Sequence, residues 1–444
     1  MSTQDIKNTS LFAVDQASCM NNSEEQEART TPTVSPLTDA VPSGWLQMRN
    51  KDVFRYVSRP VGQKWSEFEL LTMGKAGVSI RDVESGKGKF PSSFETYQEV
   101  RPGDFVFCLF DMDETPRTVG LSSIGGMITG AYDVFYADSG YERFLYYWYL
   151  AVDDQKAWKP YYRSLRKTIT RDMFMTMRVL VPPRSEAARI AEYLDRESQR
   201  IEELKDSIRA QIDALEAYKR SVSFDAVTGR LDRVEKVNDP RIAWLGNVPR
   251  HWRIEKIKFH VTRNERKGYP DEPVLSLYRE LGLVYKDSRD DNHNVTSADT
   301  SPYKLVTRGN LVINKMKAWQ GSVAVSQLRG IVSPAYYVYK IDSLDLRSEY
   351  LHYLLRSSYK DEFRRMSGGI REGQWDLPAA SFENTYILIP PVHEQEEIVA
   401  YLDRRLEAID ASLRAKEGQL AILDEYKNSL IYEIVTGKRE VPVR

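Results

Sequence analysis

The sequence predicts an α+β protein of two similar mixed α/β domains, each followed by a long helix, the two helices packed as an antiparallel intramolecular coiled coil. Three observations predict it. Residues 182–230 and 390–438 align without a gap at an offset of 208, with 17 of 49 positions identical. Both copies carry one narrow apolar stripe on a charged background, the pattern of a helix that must find another helix. The stretches before them alternate short apolar runs with Gly, Pro, Asp and Ser, the pattern of strands and turns.

Composition sets the outer bounds. A chain of 444 residues with 41% hydrophobic and 29% charged residues has room for two or three domains with real cores. No run approaches the roughly 18 apolar residues of a membrane helix, and 1–40 lacks a basic-then-apolar leader. Cys19 and Cys108 make no disulfide framework, and five scattered histidines have no metal-ligand spacing. The expectation is a cytoplasmic protein without a structural metal. Net charge is −1, but its distribution is uneven: 41–181 carry 19 basic and 17 acidic residues, 241–389 carry 23 and 17. The segments 182–240 and 390–444 are acidic instead, with 11 basic against 13 acidic and 8 against 11. Positive charge therefore sits between the repeats, where a polyanion could be gripped.

Taken in order, 1–40 are polar and aperiodic and read as a mobile tail. Domain 1 spans 41–181. Its turn Arg101-Pro-Gly-Asp104 precedes the strand FVFCLF, and Phe144, Tyr147, Trp148 and Ala151 fall at helical spacing, as a core-packing stripe. The first helical region is 182–240. Pro182-Pro183 set its first turn, no Pro or Gly interrupts 186–228, and Gly229 ends it. Ile201, Leu204, Ile208, Leu215, Tyr218 and Val222 fit a and d positions of a heptad, with Gln211 as the polar exception. Such a helix spans on the order of 60 Å at 1.5 Å per residue. Domain 2, 241–389, echoes domain 1 in the same order: VPRHW for VPSGW, RGNLVI for PGDFVF, GIVSPAYYVY for GMITGAYDVF. The C-terminal helical region, 390–444, carries Ile409, Leu413, Leu420, Leu423 and Leu430 on one stripe; Lys416 and Lys427 intrude on it. Gly418 costs that helix about 1 kcal/mol.

These residues resemble the specificity (S) subunit of type I DNA restriction–modification systems, over roughly 41–440. The likeness is carried by IPPVHEQEEI at 389–398, by Tyr426-Lys427 and Val435-Thr-Gly-Lys438, and by their counterparts at 182–190 and 218–230. Within domain 2, the stretches 309–312, 314–316 and 330–336 also match the family's recognition-domain landmarks. One departure is Glu186-Ala187, where the family favours the Glu-Gln seen at Glu394-Gln395. The resemblance implies a non-catalytic DNA reader with two target-recognition domains. Each would read half of a bipartite asymmetric double-stranded target, and the helices would set the spacing. It implies partners as well: two modification (M) subunits using S-adenosylmethionine to methylate adenine, and restriction (R) subunits using ATP and Mg²⁺. This chain itself is expected to bind no cofactor.

The residues agree with a lack of catalysis. The only double prolines stand in VPPR and IPPV, without the polar and aromatic neighbours that hold a flipped adenine. Gly86-Lys-Gly-Lys89 lacks phosphate-loop spacing. His393 beside Glu394 reads as a surface residue at a helix start rather than a base. DNA contact is expected from Asn314, Lys315, Lys317 and Gln320 after a strand, and from Arg364, Arg365, Arg371 and Gln374 around a Gly-rich loop. Lysine and arginine suit phosphate or guanine, and Asn/Gln suit adenine. In domain 1 the similarly placed residues are Lys159, Arg163, Arg166 and Lys167, with Lys87 and Lys89 as a second group. The competing readings are a coiled-coil scaffold binding a non-nucleic-acid ligand and a stand-alone nuclease.

Overall fold

Two chain segments with little sequence in common fold to one strand order. The computed structural model describes residues 35–38, 40–82, 93–137, 140–163, 166–231, 234–279, 281–288, 296–297, 299–369 and 375–442. Most of the expected tail and the candidates Lys87, Lys89, Arg371 and Gln374 lie outside the described residues. The chain divides into two compact units, Met1–Gln199 with Tyr426–Arg444, and Arg200–Glu425. The division falls inside both repeats because each domain takes the start of one long helix and the end of the other into its core.

The first unit runs β1 (Leu46–Arg49), α1 (Asn50–Val53), β2 (Phe54–Val57), β3 (Leu71–Gly74), β4 (Gly77–Ile80), β5 (Gln98–Val100) and β6 (Asp104–Phe107). Then come β7 (Val119–Leu121), β8 (Gly126–Ile128), β9 (Asp133–Ala137), α2 (Glu142–Asp154), α3 (Arg171–Thr176) and β10 (Arg178–Val181). Its main sheet is antiparallel with order β2-β9-β6-β7; β1-β10, β3-β4 and β5-β8 pair beside it. Both faces of β6 are buried, so the strand is a continuous apolar run rather than an alternating one. Phe54, Phe105, Phe107, Phe135, Tyr149 and Phe174 interlock, with Phe107 and Phe174 centroids 4.7 Å apart. The stripe Phe144, Tyr147, Trp148 and Ala151 of α2 is buried here, as a core-packing face. Inside this core Trp158 donates to Thr118 (3.1 Å) and Thr118 to Asp153 (2.8 Å), whereas the buried Trp148 indole N–H has no partner among the described residues.

The first long helix, α4 (Arg184–Val227), has 44 residues and so measures about 66 Å. The second unit adds β11 (Lys236–Asn238), β12 (Asn247–Pro249), β13 (Arg253–Lys256), β14 (Val261–Arg263), β15 (Leu275–Tyr278), β16 (Gly282–Tyr285), β17 (Lys304–Val306) and β18 (Leu311–Asn314). It continues through β19 (Val323–Val325), β20 (Gly330–Val332), β21 (Tyr336–Ile341), α5 (Ser348–Ser358), α6 (Lys360–Met366), α7 (Ala379–Glu383), β22 (Tyr386–Ile389) and α8 (Val392–Val435). The order β14-β21-β18-β19, flanked by β13-β22, β15-β16 and β17-β20, repeats that of the first unit. Register fixes the equivalences: Leu311 pairs Tyr339 and Val325 where Phe105 pairs Phe135 and Leu121.

Both ends of the long helices are gripped. In the first unit the Trp45 indole donates to Glu186 (3.3 Å); in the second, Trp252 donates to Glu394 (2.7 Å), which also bonds His251 (2.8 Å). At the helix ends Gly229 and Gly437 adopt φ of 66° and 69°. A Cβ at Gly229 would stand 2.3 Å from Cγ of Pro249, and one at Gly437 2.4 Å from Cγ of Pro42. Gln395, wholly buried, accepts from Arg347 N and donates to the carbonyls of Asp345 and Pro390, all at 2.8 Å. Ala187 stands in its place in the first copy, where Tyr141 rather than an arginine precedes α2.

The helices pair antiparallel in the second unit: Lys205 bonds Asp424 (2.6 Å) and Lys219 bonds Asp410 (2.5 Å), one number falling as the other rises. The α8 stripe is half-buried or buried at Ile409, Leu413, Leu420, Leu423 and Leu430, with Lys416 and Lys427 on it. On α4 the register differs from expectation. Ile201, Ile208 and Leu215 face in, but Leu204 is 48% and Tyr218 42% exposed. Lys205, Ile212 and Lys219 take the intervening places because a lysine stem lines the seam while its ammonium reaches a carboxylate at the edge. Tyr218 touches α8 only from the side, accepting from Arg405 at 2.5 Å.

Gly229→Ala is expected to lower the unfolding free energy by more than the roughly 1 kcal/mol of an ordinary glycine at positive φ, since proline must also move; urea unfolding checks it. A second outcome concerns His352, on α5. Burial, then the nearby Arg356 charge, push its pKa down to about 4, and its Nδ1 accepts from Val325 N at 3.1 Å. The unfolded chain binds the proton more readily, so this group makes stability rise with pH between about 4 and about 6.5, by on the order of 3 kcal/mol. In His352→Asn that part of the pH dependence disappears from denaturation curves taken across the window.

Candidate nucleic-acid interface

In each unit the central strand of the sheet releases the chain at its C-terminal end, beside the segment that precedes the last short helix. One backbone bond ties them: Ile169 N donates to Leu109 O (2.8 Å), and Leu377 N to Lys315 O (2.9 Å). The positions are equivalent, so two segments far apart in sequence form one ledge in each domain. On it lie most of the candidates: Lys159, Arg163, Arg166 and Lys167 in the first, Lys315, Lys317, Gln320, Arg364 and Arg365 in the second.

On the first ledge two of the four candidate cations are paired with acids. Asp111, Lys156 and Lys167 all hold positive φ, at 46°, 51° and 46°, a strained backbone kept by its contacts. Arg166 bonds Asp111 (2.9 Å) through its side chain, and its carbonyl accepts from Asp111 N (3.0 Å). Lys167 bonds Asp113 (2.6 Å), which also accepts from Tyr162 (3.0 Å); these two partners hold the Asp113 carboxyl below its usual range. Lys159 and Arg163 are exposed, and Arg163 exchanges backbone bonds with Thr168.

The second ledge arranges its charge around a cleft. Lys317 is exposed and has no ion-pair partner among the described residues; with Met316, Lys286, Asn314 and Tyr336 it lines a cleft of about 300 Å³. Lys315 approaches Asp376 at 3.6 Å, Arg365 is tied to Glu362 (2.6 Å), and Arg364 is exposed. Gln320 accepts from Arg279 (3.2 Å). Trp319 and Trp375 meet edge-to-face at 5.6 Å beside these cations.

Asn314 is mostly buried in the wall of this cleft, and its side-chain oxygen accepts from Met316 N at 3.2 Å, so it also shapes the turn. Arg279 and Lys286 join the ledge without having been singled out from sequence; the hairpin β15-β16 and the residues around it supply them. Among the described residues no group of three or more His, Cys, Asp or Glu could hold a metal ion, and no helix is long and apolar enough to cross a membrane.

Lys317→Ala is expected to reduce the slope of log K against log salt for duplex binding by about 0.9. Arg365→Ala should reduce it less, because Glu362 already screens that charge. Asn314→Ala should instead cost stability, about 1–3 kcal/mol, with the slope unchanged. Fluorescence anisotropy across a salt series, paired with denaturation, separates the three.

No protein-family model matches the chain. Solved structures do. One, from work on complex assembly and conformational transition of the type I restriction–modification system, aligns over 90% of this chain and 100% of its own, with TM-score 0.64 and 16% identity. The HsdS subunit from Thermoanaerobacter tengcongensis aligns over 90% and 98%, with TM-score 0.49 and 17% identity. The type I S subunit from M. genitalium covers the same shares at TM-score 0.35 and 10% identity. The two-domain, two-helix fold of this chain is thus one found in type I restriction–modification assemblies.

Proposed function

We propose that this chain is the DNA sequence-specificity subunit of a type I restriction–modification complex, acting in the cytoplasm. The observation that carries this is the pair of equivalent ledges: one backbone frame, built twice, bearing two different sets of cations, amides and aromatics. A scaffold needing two copies of one binding function would keep the ledge chemistry alike. A reader of an asymmetric bipartite target needs the same frame with different faces. The long helices supply the other half of the reading. Each is gripped at its start by a Glu–Trp bond and at its end by a Gly–Pro contact, which holds the helix direction relative to its domain.

In this reading the ledges contact phosphate and base edges of double-stranded DNA, and the charged outer faces of α4 and α8 dock M subunits. Those subunits bring S-adenosylmethionine and methylate adenine; R subunits bring ATP- and Mg²⁺-dependent cleavage. The chain contributes recognition and spacing, not catalysis. With helices of about 66 Å, shortened by overlap, half-sites should lie one to two DNA turns apart.

Single-molecule sequencing of methylated adenines in the host should reveal a split motif with an unspecified spacer, and exchange of 241–389 for another recognition domain should alter one half only. A continuous motif, or duplex binding indifferent to salt, would sink the proposal and favour a scaffold for another ligand.

A further inference from the structure

A polar cleft of about 680 Å³ opens in the second unit where β18 begins, the end of that strand opposite Asn314 and the ledge. Arg263, Arg266, Arg308, Lys340 and Arg347 line it, against the carboxylates of Asp342 and Glu349. Three of these cations have acidic partners: Arg263 bonds Glu383, Lys340 bonds Asp342 and Arg347 bonds Glu396. The other two hold neutral acceptors: Arg266 donates to Tyr269 (2.7 Å) and Arg308 to Gln327 (3.1 Å).

The first unit distributes charge differently at the same corner. By strand register Tyr56 stands at the Arg263 position and Tyr136 at the Lys340 position. Pro102 stands at that of Arg308. Arg59, the counterpart of Arg266, is locked onto Asp104 in a mostly buried ion pair. In the second unit the residue equivalent to Asp104 is Asn310, whose side-chain oxygen takes Thr307 N (3.0 Å) and Asn264 (3.2 Å) and carries no charge. These four differences make the second corner more positive, while two run the other way: Arg55 and Arg101 of the first unit stand at the positions of Thr262 and Thr307, and Arg101 is paired with Glu99. The frame itself does not require the four, because the first unit folds the same way without them. Like charges gathered in a concave wall repel one another and are retained where an anion relieves them.

We propose that this cleft is a phosphate-binding site, separate from the recognition ledge, with the Arg266 and Arg308 guanidiniums as its principal donors. Planar guanidinium forks match phosphate oxygens in pairs, and two of them with neutral partners can swing to a ligand without breaking an ion pair. The phosphate would come either from a nucleic-acid backbone or from a soluble polyphosphate. This goes beyond the reading above, since it does not depend on which bases the ledges contact.

Calorimetric titration of the full-length chain with inorganic tripolyphosphate tests it. Wild type should bind, Arg266→Ala/Arg308→Ala should bind at least tenfold more weakly with an unchanged circular dichroism spectrum, and Lys317→Ala should bind as wild type does. Should the double variant misfold, Arg308→Glu alone should abolish the titration heat. If the double variant also loses affinity for a labelled duplex that tripolyphosphate displaces, the source is a nucleic-acid backbone. If duplex affinity is the same in both, the source is a soluble polyphosphate. No tripolyphosphate binding by wild type, or equal binding by wild type and the double variant, overturns the proposal.

Discussion

The bond from a domain's first tryptophan to the first-turn glutamate of the helix that leaves it is the constraint on which each unit is built. An indole N–H taken out of water needs an acceptor, and a carboxylate at a helix start is favoured by the positive end of the helix dipole. Trp45 with Glu186 and Trp252 with Glu394 meet both needs with one contact. The contact also joins residues 141 and 142 apart in sequence, so a domain must be closed before its helix can be aimed. Gly229 and Gly437 lie against the prolines of the same domain starts, and only a residue without a Cβ allows that approach. The start of one helix and the end of the other are thereby built into one core.

A narrow seam then has to satisfy seven or so turns with few apolar residues. It does so partly with lysine. Lys205 and Lys219 lay aliphatic stems along the seam and place their charges on Asp424 and Asp410 at its margin. Such half-exposed pairs add little energy, on the order of 1 kcal/mol or less. Their larger effect is on register, because a slip would strand a lysine on an apolar face. The two domains handle charge differently again. At the corner the first neutralises its arginine internally, through Asp104, whereas in the second Arg266 and Arg308 hold neutral acceptors.

Legibility in the sequence followed how local each signal was. Strands such as 104–107 and the aromatic face of α2 depend on neighbours in sequence and on burial, and both were readable. The heptad on α4 was not, since Leu204 and Tyr218 fit an apolar pattern while Lys205 and Lys219 did not. The second copy held the missing signal: its stripe, moved back by 208, gives Ile201, Lys205, Ile208, Ile212, Leu215, Lys219 and Val222. The structural part that Asn314 plays was hidden for a related reason. An asparagine among lysines looks like a base reader, but nothing in the sequence says that its oxygen is already used by Met316 N.

By itself the sequence determined the duplication, the helix lengths, the alternation of domain and helix, and the absence of familiar catalytic spacings, because each is written in periodicity, punctuation or repetition along the chain. Tertiary structure alone decided which cations remain uncompensated and where they gather. Whether Arg59 or Arg266 is neutralised depends on whether Asp104 or Asn310 stands across the sheet, a choice made by strand register between residues more than 40 positions apart. Charge composition adds along a chain, but an electrostatic site forms only where folding brings charges together and leaves some without partners.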